Sequence, residues 1–131
     1  MQTITKGIKT LKEKAYERVE DISLQAALDL YQNDAYVFVD VREAEERRKS
    51  GVIPGAFTCT RSMLEFLIDP QCPAHNQVFN QDKTYVFYCA HGLRSLYAAQ
   101  QASDMGLTPV KNLAGGFAAW VEHNGKVVTE G

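Results

Sequence analysis

Two spacings of apolar residues alternate along this chain. Ala35-Tyr36-Val37-Phe38-Val39-Asp40-Val41 and Thr84-Tyr85-Val86-Phe87-Tyr88 are nearly unbroken β-branched and aromatic runs, the pattern of strands covered on both faces of a parallel sheet. Between them the spacing becomes helical. Leu24, Ala27, Leu28 and Tyr31 form a stripe behind Ser23, a good N-cap, and Gln32-Asn33-Asp34 closes that helix. Residues 42–49 are a charged helical stretch ending near Gly51, with acids first and bases last, as the helix dipole favours. A third helix starts near Leu93 and runs through strong helix formers to Gly106. Shorter strands are expected at residues 57–60 and 108–113, a helical turn at 61–67, a long loop at 69–77, and a last helix after Ala114-Gly115-Gly116. Strands alternating with helices predict an α/β domain with a mainly parallel sheet.

The ends of the chain are patterned differently. Ile8, Leu11 and Ala15 stand at helical spacing within a charged segment, which predicts a short helix docking one thin face on the domain. The expected division is an N-terminal charged helical extension over residues 1–20, the domain proper over 21–124, and a loose tail over 125–131.

Composition narrows the classes. At 131 residues the chain has room for one domain with a proper core. A net charge of -2 and a pI near 5.9 give no pull toward nucleic acid or anionic membrane, and the acids interspersed among residues 42–49 argue against a basic patch there. No apolar run approaches the ~20 residues of a membrane span. Three cysteines, Cys59, Cys72 and Cys89, are too few and too odd for a disulfide framework, so free thiols in the cytoplasm are expected.

Ligand sites in open parallel sheets lie at the carboxyl ends of the strands. That rule gathers Asp40 with Arg42, the Thr60-Arg61 end, Cys89 and the 114–116 turn along one edge. Cys89 has two readings. It is a buried structural thiol at a strand end, or a nucleophile beneath main-chain N–H groups and the positive end of a helix, an environment that lowers a thiol pKa and steadies an anion. Gly92 and Arg94, which a structural thiol does not require, favour the second.

Four stretches in order carry a family resemblance: Asp40-Val41-Arg42-Glu43, Gly51-Val52-Ile53-Pro54-Gly55-Ala56, Cys89-Ala90-His91-Gly92-Leu93-Arg94-Ser95, and Leu113-Ala114-Gly115-Gly116-Phe117-Ala118-Ala119-Trp120. Over residues 22 to 122 the chain resembles the rhodanese-like domains of the single-domain sulfurtransferase type. The resemblance implies a three-layer α/β fold with about five strands. It makes Cys89 the acceptor of a sulfane sulfur, held as a persulfide and passed to a thiophilic acceptor, with no metal or organic cofactor. The donor is then a small compound such as thiosulfate or a persulfide, and the acceptor a thiol or cyanide, including a protein thiol. Val52 stands where the family often has histidine, and Ala90 and His91 stand where thiosulfate-using members are basic, so no donor is assigned. Related dual-specificity phosphatases and arsenate reductases place five residues between cysteine and arginine. Here residues 90–93 make four, a smaller cradle that suits one sulfur better than a tetrahedral oxyanion.

The expected site is therefore Cys89 as nucleophile, with Ala90, His91, Gly92, Leu93, Arg94, Ser95 and Arg61 binding substrate. Asp40 and Arg42 are expected as a supporting ion pair, because a carboxylate beside a thiolate hinders its ionisation. His91 is read as a wall of the loop, Cys59 as core, Trp120 as a packing anchor, and the Cys72-Pro73-Ala74-His75 stretch as loop rather than a zinc site. A non-catalytic or sulfur-relay module that binds a partner protein through the same edge, and a phosphatase or arsenate reductase, are the alternatives.

Overall fold

The computed structural model describes residues 1–130. Five parallel strands, β1 (Glu20–Ile22), β2 (Tyr36–Asp40), β3 (Phe57–Thr58), β4 (Thr84–Tyr88) and β5 (Val110–Leu113), form one sheet in the order β1-β5-β4-β2-β3. The helices are α1 (Ile8–Ala15), α2 (Leu24–Leu30), α3 (Ala44–Ser50), α4 (Leu64–Ile68), α5 (Arg94–Asp104) and α6 (Gly116–Glu122). The period-2 alternation of the strands sorts the core into two layers. Val39, Tyr85 and Phe87 face Ala15, Leu64, Ile68 and the buried side of α5, whereas Phe38, Val86 and Tyr88 face Ala27, Phe117 and Trp120. The result is the expected three-layer α/β arrangement, with β4 central and its carboxyl end buried on both sides.

Local signals placed most helices well. Ser23 caps α2 by accepting from the Ala26 N–H at 3.1 Å. The start of α3 uses a device the charge pattern alone does not reveal. Glu43 and Glu46 form a reciprocal capping box, with the Glu43 N–H donating to Glu46 Oε2 at 2.9 Å.

Three expectations need correction. The sequence pattern gives no strand before α2, whereas residues 20–22 form β1 and pair in register with Lys111, Asn112 and Leu113 at the sheet edge. α1 does not dock through Ile8 and Leu11, which stay 55% and 38% exposed; only Ala15 is buried. A helix this short and charged gains its place from one small residue against α5 and from the turn that leads into β1. The tail is tied down rather than loose. Val52 and Val128 exchange both main-chain hydrogen bonds at 2.8 and 3.0 Å, and Trp120 Nε1 donates to the Lys126 carbonyl at 2.8 Å. Glu130 pairs with the buried Arg47 at 2.9 Å.

Asp40 and Arg42 join this edge together. Arg42 is 2% exposed and Asp40 wholly buried, with Nη2 to Oδ2 at 2.7 Å. Arg42 Nε also donates to both Asp40 oxygens, Nη1 donates to Ser50 Oγ at 2.9 Å and Nη2 to the Gly51 carbonyl at 2.7 Å, while the guanidinium lies 4.1 Å from the Phe117 ring centroid. One buried cation thus ties β2, the end of α3 and α6. Because its removal strands a buried carboxylate, Arg42→Met is expected to cost about 3–5 kcal/mol in denaturant unfolding. A loss under about 1 kcal/mol would show that the pair is not what holds this edge.

Candidate active site

Cys89 directly follows the last residue of β4 and is 1% exposed. The chain then turns through residues 90–93 and enters α5. Leu93 occupies the N-cap position of α5, and leucine has no acceptor to offer the free N–H groups of a first helical turn. The sulfur supplies what Leu93 lacks. Cys89 Sγ accepts from the Ser95 N–H at 3.3 Å and from the Gly92 N–H at 3.2 Å. Gly92 sits at φ 101°, in the left-handed region, where its N–H is turned toward the sulfur. Burial opposes ionisation of this thiol, but hydrogen bonds from Ser95, Gly92 and His91 outweigh it and hold the pKa below the usual thiol value. Cys59, equally buried but without such donors, is pushed the other way, to about 11.

The outer side of the loop is braced by α6. The Phe117 N–H donates to the Cys89 carbonyl at 2.8 Å and the Ala118 N–H to the Ala90 carbonyl at 2.9 Å. This approach requires glycine: a Cβ on Gly116 would lie 2.6 Å from both carbonyl oxygens. The Gly115-Gly116 pair in the sequence therefore exists to let the helix reach the loop, and the loop amides are left to point inward at the sulfur.

Arg94 stands at the mouth, about half exposed, and its two terminal nitrogens meet the two oxygens of Glu46 at 2.9 Å each. The Arg94 hydrogen bond draws Glu46 down to about 2, well below the usual carboxylate range. His91 is exposed on the crest of the loop, with Ala90 and Leu93 half-buried beside it. Arg61 is engaged by Glu65 at 2.9 Å, and no hydrogen bond or ion pair among the described residues joins it to the loop. The Asp40–Arg42 pair lies at the same sheet edge without a hydrogen bond to the sulfur. The structure thus brings Cys89, Gly92 and Ser95 together, sets Arg94 at the mouth, and pairs Arg61 with Glu65.

Sequence reasoning missed Glu46 and Asn112. Glu46 was legible as the fourth residue of Glu43-Ala44-Glu45-Glu46, a capping-box spacing. Asn112 was legible as a polar residue inside a strand, where a buried amide must find partners.

Comparison with known proteins fits this geometry. Residues 23–123 match the family model of the rhodanese-like domain. The chain is 35% identical over 89 residues to the human thiosulfate:glutathione sulfurtransferase, spanning 63% of this chain and 76% of that protein. It is 29% identical over 103 residues to the thiosulfate sulfurtransferase GlpE of Shewanella oneidensis, spanning 79% and 93%. A solved structure from Rhodopseudomonas palustris, of a protein of unknown function described as a possible tyrosine phosphatase, superposes with a TM-score of 0.93 at 46% identity over 98% of each chain.

The Arg94–Glu46 pair sets a pH dependence. A carboxylate whose folded pKa is depressed contributes stability above its ordinary value of ~4.3, and that contribution is lost as pH falls from there through the folded value. Side-chain carboxyl NMR is expected to show Glu46 titrating at about 2 and moving up toward the ordinary range in Arg94→Gln, where the hydrogen bond from the Glu43 N–H remains. A wild-type midpoint in the ordinary range would contradict the pairing.

Proposed function

The chain belongs to the rhodanese-like domain family, and on that premise we propose how its cysteine works. The protein is a sulfurtransferase, moving sulfane sulfur from a donor to a thiophilic acceptor. The observation that supports this most is the placement of Cys89 Sγ on the amides of Gly92 and Ser95 within a four-residue turn ending at Arg94. The Cys89 thiolate attacks the outer sulfur of an anionic donor such as thiosulfate. A bond forms between the two sulfurs, the bond from that sulfur to the rest of the donor breaks, and the leaving group (sulfite, for thiosulfate) departs with the electron pair. The product is a persulfide anion on Cys89. A thiolate or cyanide then attacks the terminal sulfur, and the Cys89 thiolate leaves with its electrons and is restored. Thiolate and persulfide are both anions, so the same N–H groups serve the beginning and end of each half-reaction.

Arg94 stands at the mouth of the loop and orients the anionic end of the donor. Its pairing with Glu46 makes that charge partly neutralised, and Ala90 and His91 add no fixed positive charge, so the loop amides carry most of the anion binding. Arg61, held by Glu65, takes no part in this reading. The two sulfurtransferase relatives act, by their names, with thiosulfate, and one of them with glutathione. Thiosulfate as donor and a small thiol as acceptor are therefore the substrates proposed, in a soluble reducing environment.

The similarity to a protein described as a possible tyrosine phosphatase motivates one control. The four residues between Cys89 and Arg94 leave a cradle one residue shorter than the phosphatase spacing. Thiosulfate is expected to raise the intact mass by one sulfur atom on Cys89, and cyanide to remove it as thiocyanate. Cys89→Ser is expected to abolish both, and Arg94→Met to lower kcat/KM for thiosulfate roughly ten- to a hundredfold. Absence of the adduct, or hydrolysis of an aryl phosphate that vanishes in Cys89→Ser, would turn the reading toward the phosphatase.

A further inference from the structure

Beneath the loop lies a buried amide that the reaction as described does not use. Asn112, in the middle of β5, is 1% exposed. Its Nδ2 donates to Asp21 Oδ1 and to the Gly92 carbonyl, both at 3.0 Å. An amide nitrogen has two hydrogens, and these two acceptors use both. Asn112 Oδ1, 2.6 Å from Ser95 Oγ, is therefore the acceptor of the Ser95 hydroxyl proton. The opposite orientation of the amide would set an oxygen against a carboxylate and a carbonyl, acceptor against acceptor.

Gly92 and Ser95 are also residues whose N–H groups hold the Cys89 sulfur, at 3.2 and 3.3 Å. One side chain thus grips both: Gly92 through its carbonyl and Ser95 through its hydroxyl. Gly92 needs such a grip, since a glycine at positive φ has no side chain of its own to hold its peptide plane. The far end of the network is anchored too. Asp21 accepts from the Tyr16 hydroxyl at 3.1 Å to each carboxylate oxygen, and Tyr16 is the C-cap residue of α1. Tyr16 and Asp21 precede the residues that match the family model, so this end of the network belongs to the chain's own N-terminal segment.

We infer that Asn112 is a positioning residue that locks the Gly92 and Ser95 amides onto the Cys89 sulfur, with Asp21 and Tyr16 fixing the direction of its amide. Donors held in place before the charge forms need no reorganisation when it does, and this is how a fixed amide favours thiolate over thiol. The inference rests on Cys89 being the reacting thiol and is independent of which donor or acceptor it serves.

The test reads the thiolate directly. Ultraviolet thiolate absorbance is followed against pH, with the matching Cys89→Ser protein as blank, and thermal unfolding is run in parallel. Asn112→Ala is expected to raise the Cys89 midpoint by about one unit, a roughly tenfold loss of thiolate below the midpoint. Ser95→Ala, which deletes one oxygen and keeps a strong helix former, is expected to raise it by less. The double variant is expected to match Asn112→Ala alone, because both lesions act through one contact. Additive shifts would mean that the Ser95 hydroxyl serves the sulfur directly, and they overturn the assignment. An unchanged midpoint in folded Asn112→Ala, whatever its melting temperature, makes Asn112 a structural amide only and overturns it as well. If Asn112→Ala does not fold, Asn112→Ser, too short to reach both the Gly92 carbonyl and the Ser95 hydroxyl, is read by the same criterion. No sulfur donor enters the measurement, so failure of sulfur transfer and failure of this inference are separate results.

Discussion

An α-helix begins with N–H groups that have no partner within the helix, and the first residue before it ordinarily supplies one. In this protein α5 begins at a leucine, and the partner is a sulfur atom from the end of the neighbouring strand. That single substitution of roles organises the site. The strand must end where the helix starts, so β4 sits at the centre of the sheet with its carboxyl end buried. The loop must fold its carbonyls outward to leave its amides free, so α6 comes in close enough to receive them, across a glycine. The interaction that completes the helix is one that lowers the pKa of the thiol. Stability and reactivity therefore draw on the same hydrogen bonds, and both favour negative charge on Cys89.

The positive charges along this edge are largely committed elsewhere. Arg42 is locked on Asp40 beneath Phe117, Arg47 on Glu130, Arg61 on Glu65, and Arg94 on Glu46. Three of these guanidiniums fix junctions of the fold, strand to helix, helix to tail and helix to helix, and Arg61 is held one helical turn along its own segment. What the loop itself offers an anion is a set of oriented peptide dipoles around a buried sulfur. Such dipoles act at short range and are insensitive to salt compared with exposed charges. This explains why a chain with net charge -2 can present an anion site without a basic surface.

Much of this was readable from residue order because the signals were local. The apolar runs of β2 and β4, the Ser23 cap and the Cys89-to-Arg94 turn each declare themselves within a few residues. The parts that were not readable depend on distant partners. β1 is three residues long and is a strand only because β5 lies beside it. Val127 and Val128 look like a polar-flanked tail until Val52 is brought opposite them. Arg61 stands at the correct strand end for an anion site, and its neighbour Glu65, one helical turn on, claims it first. Asn112 carries its meaning through contacts to residues 17, 20 and 91 positions away, which no local window contains.

The depth of Cys89 has a mechanical consequence. Its sulfur is sunk into the floor of the loop and is nearly inaccessible. On the proposed chemistry, each loading step adds a sulfur at a bond length of about 2 Å from the first, within the same ring of loop amides. A donor must bring its outer sulfur to an atom that is itself nearly inaccessible. An acceptor has only to reach the sulfur one bond beyond it. The depth of the cysteine therefore bears more heavily on what the protein takes sulfur from than on what it gives sulfur to.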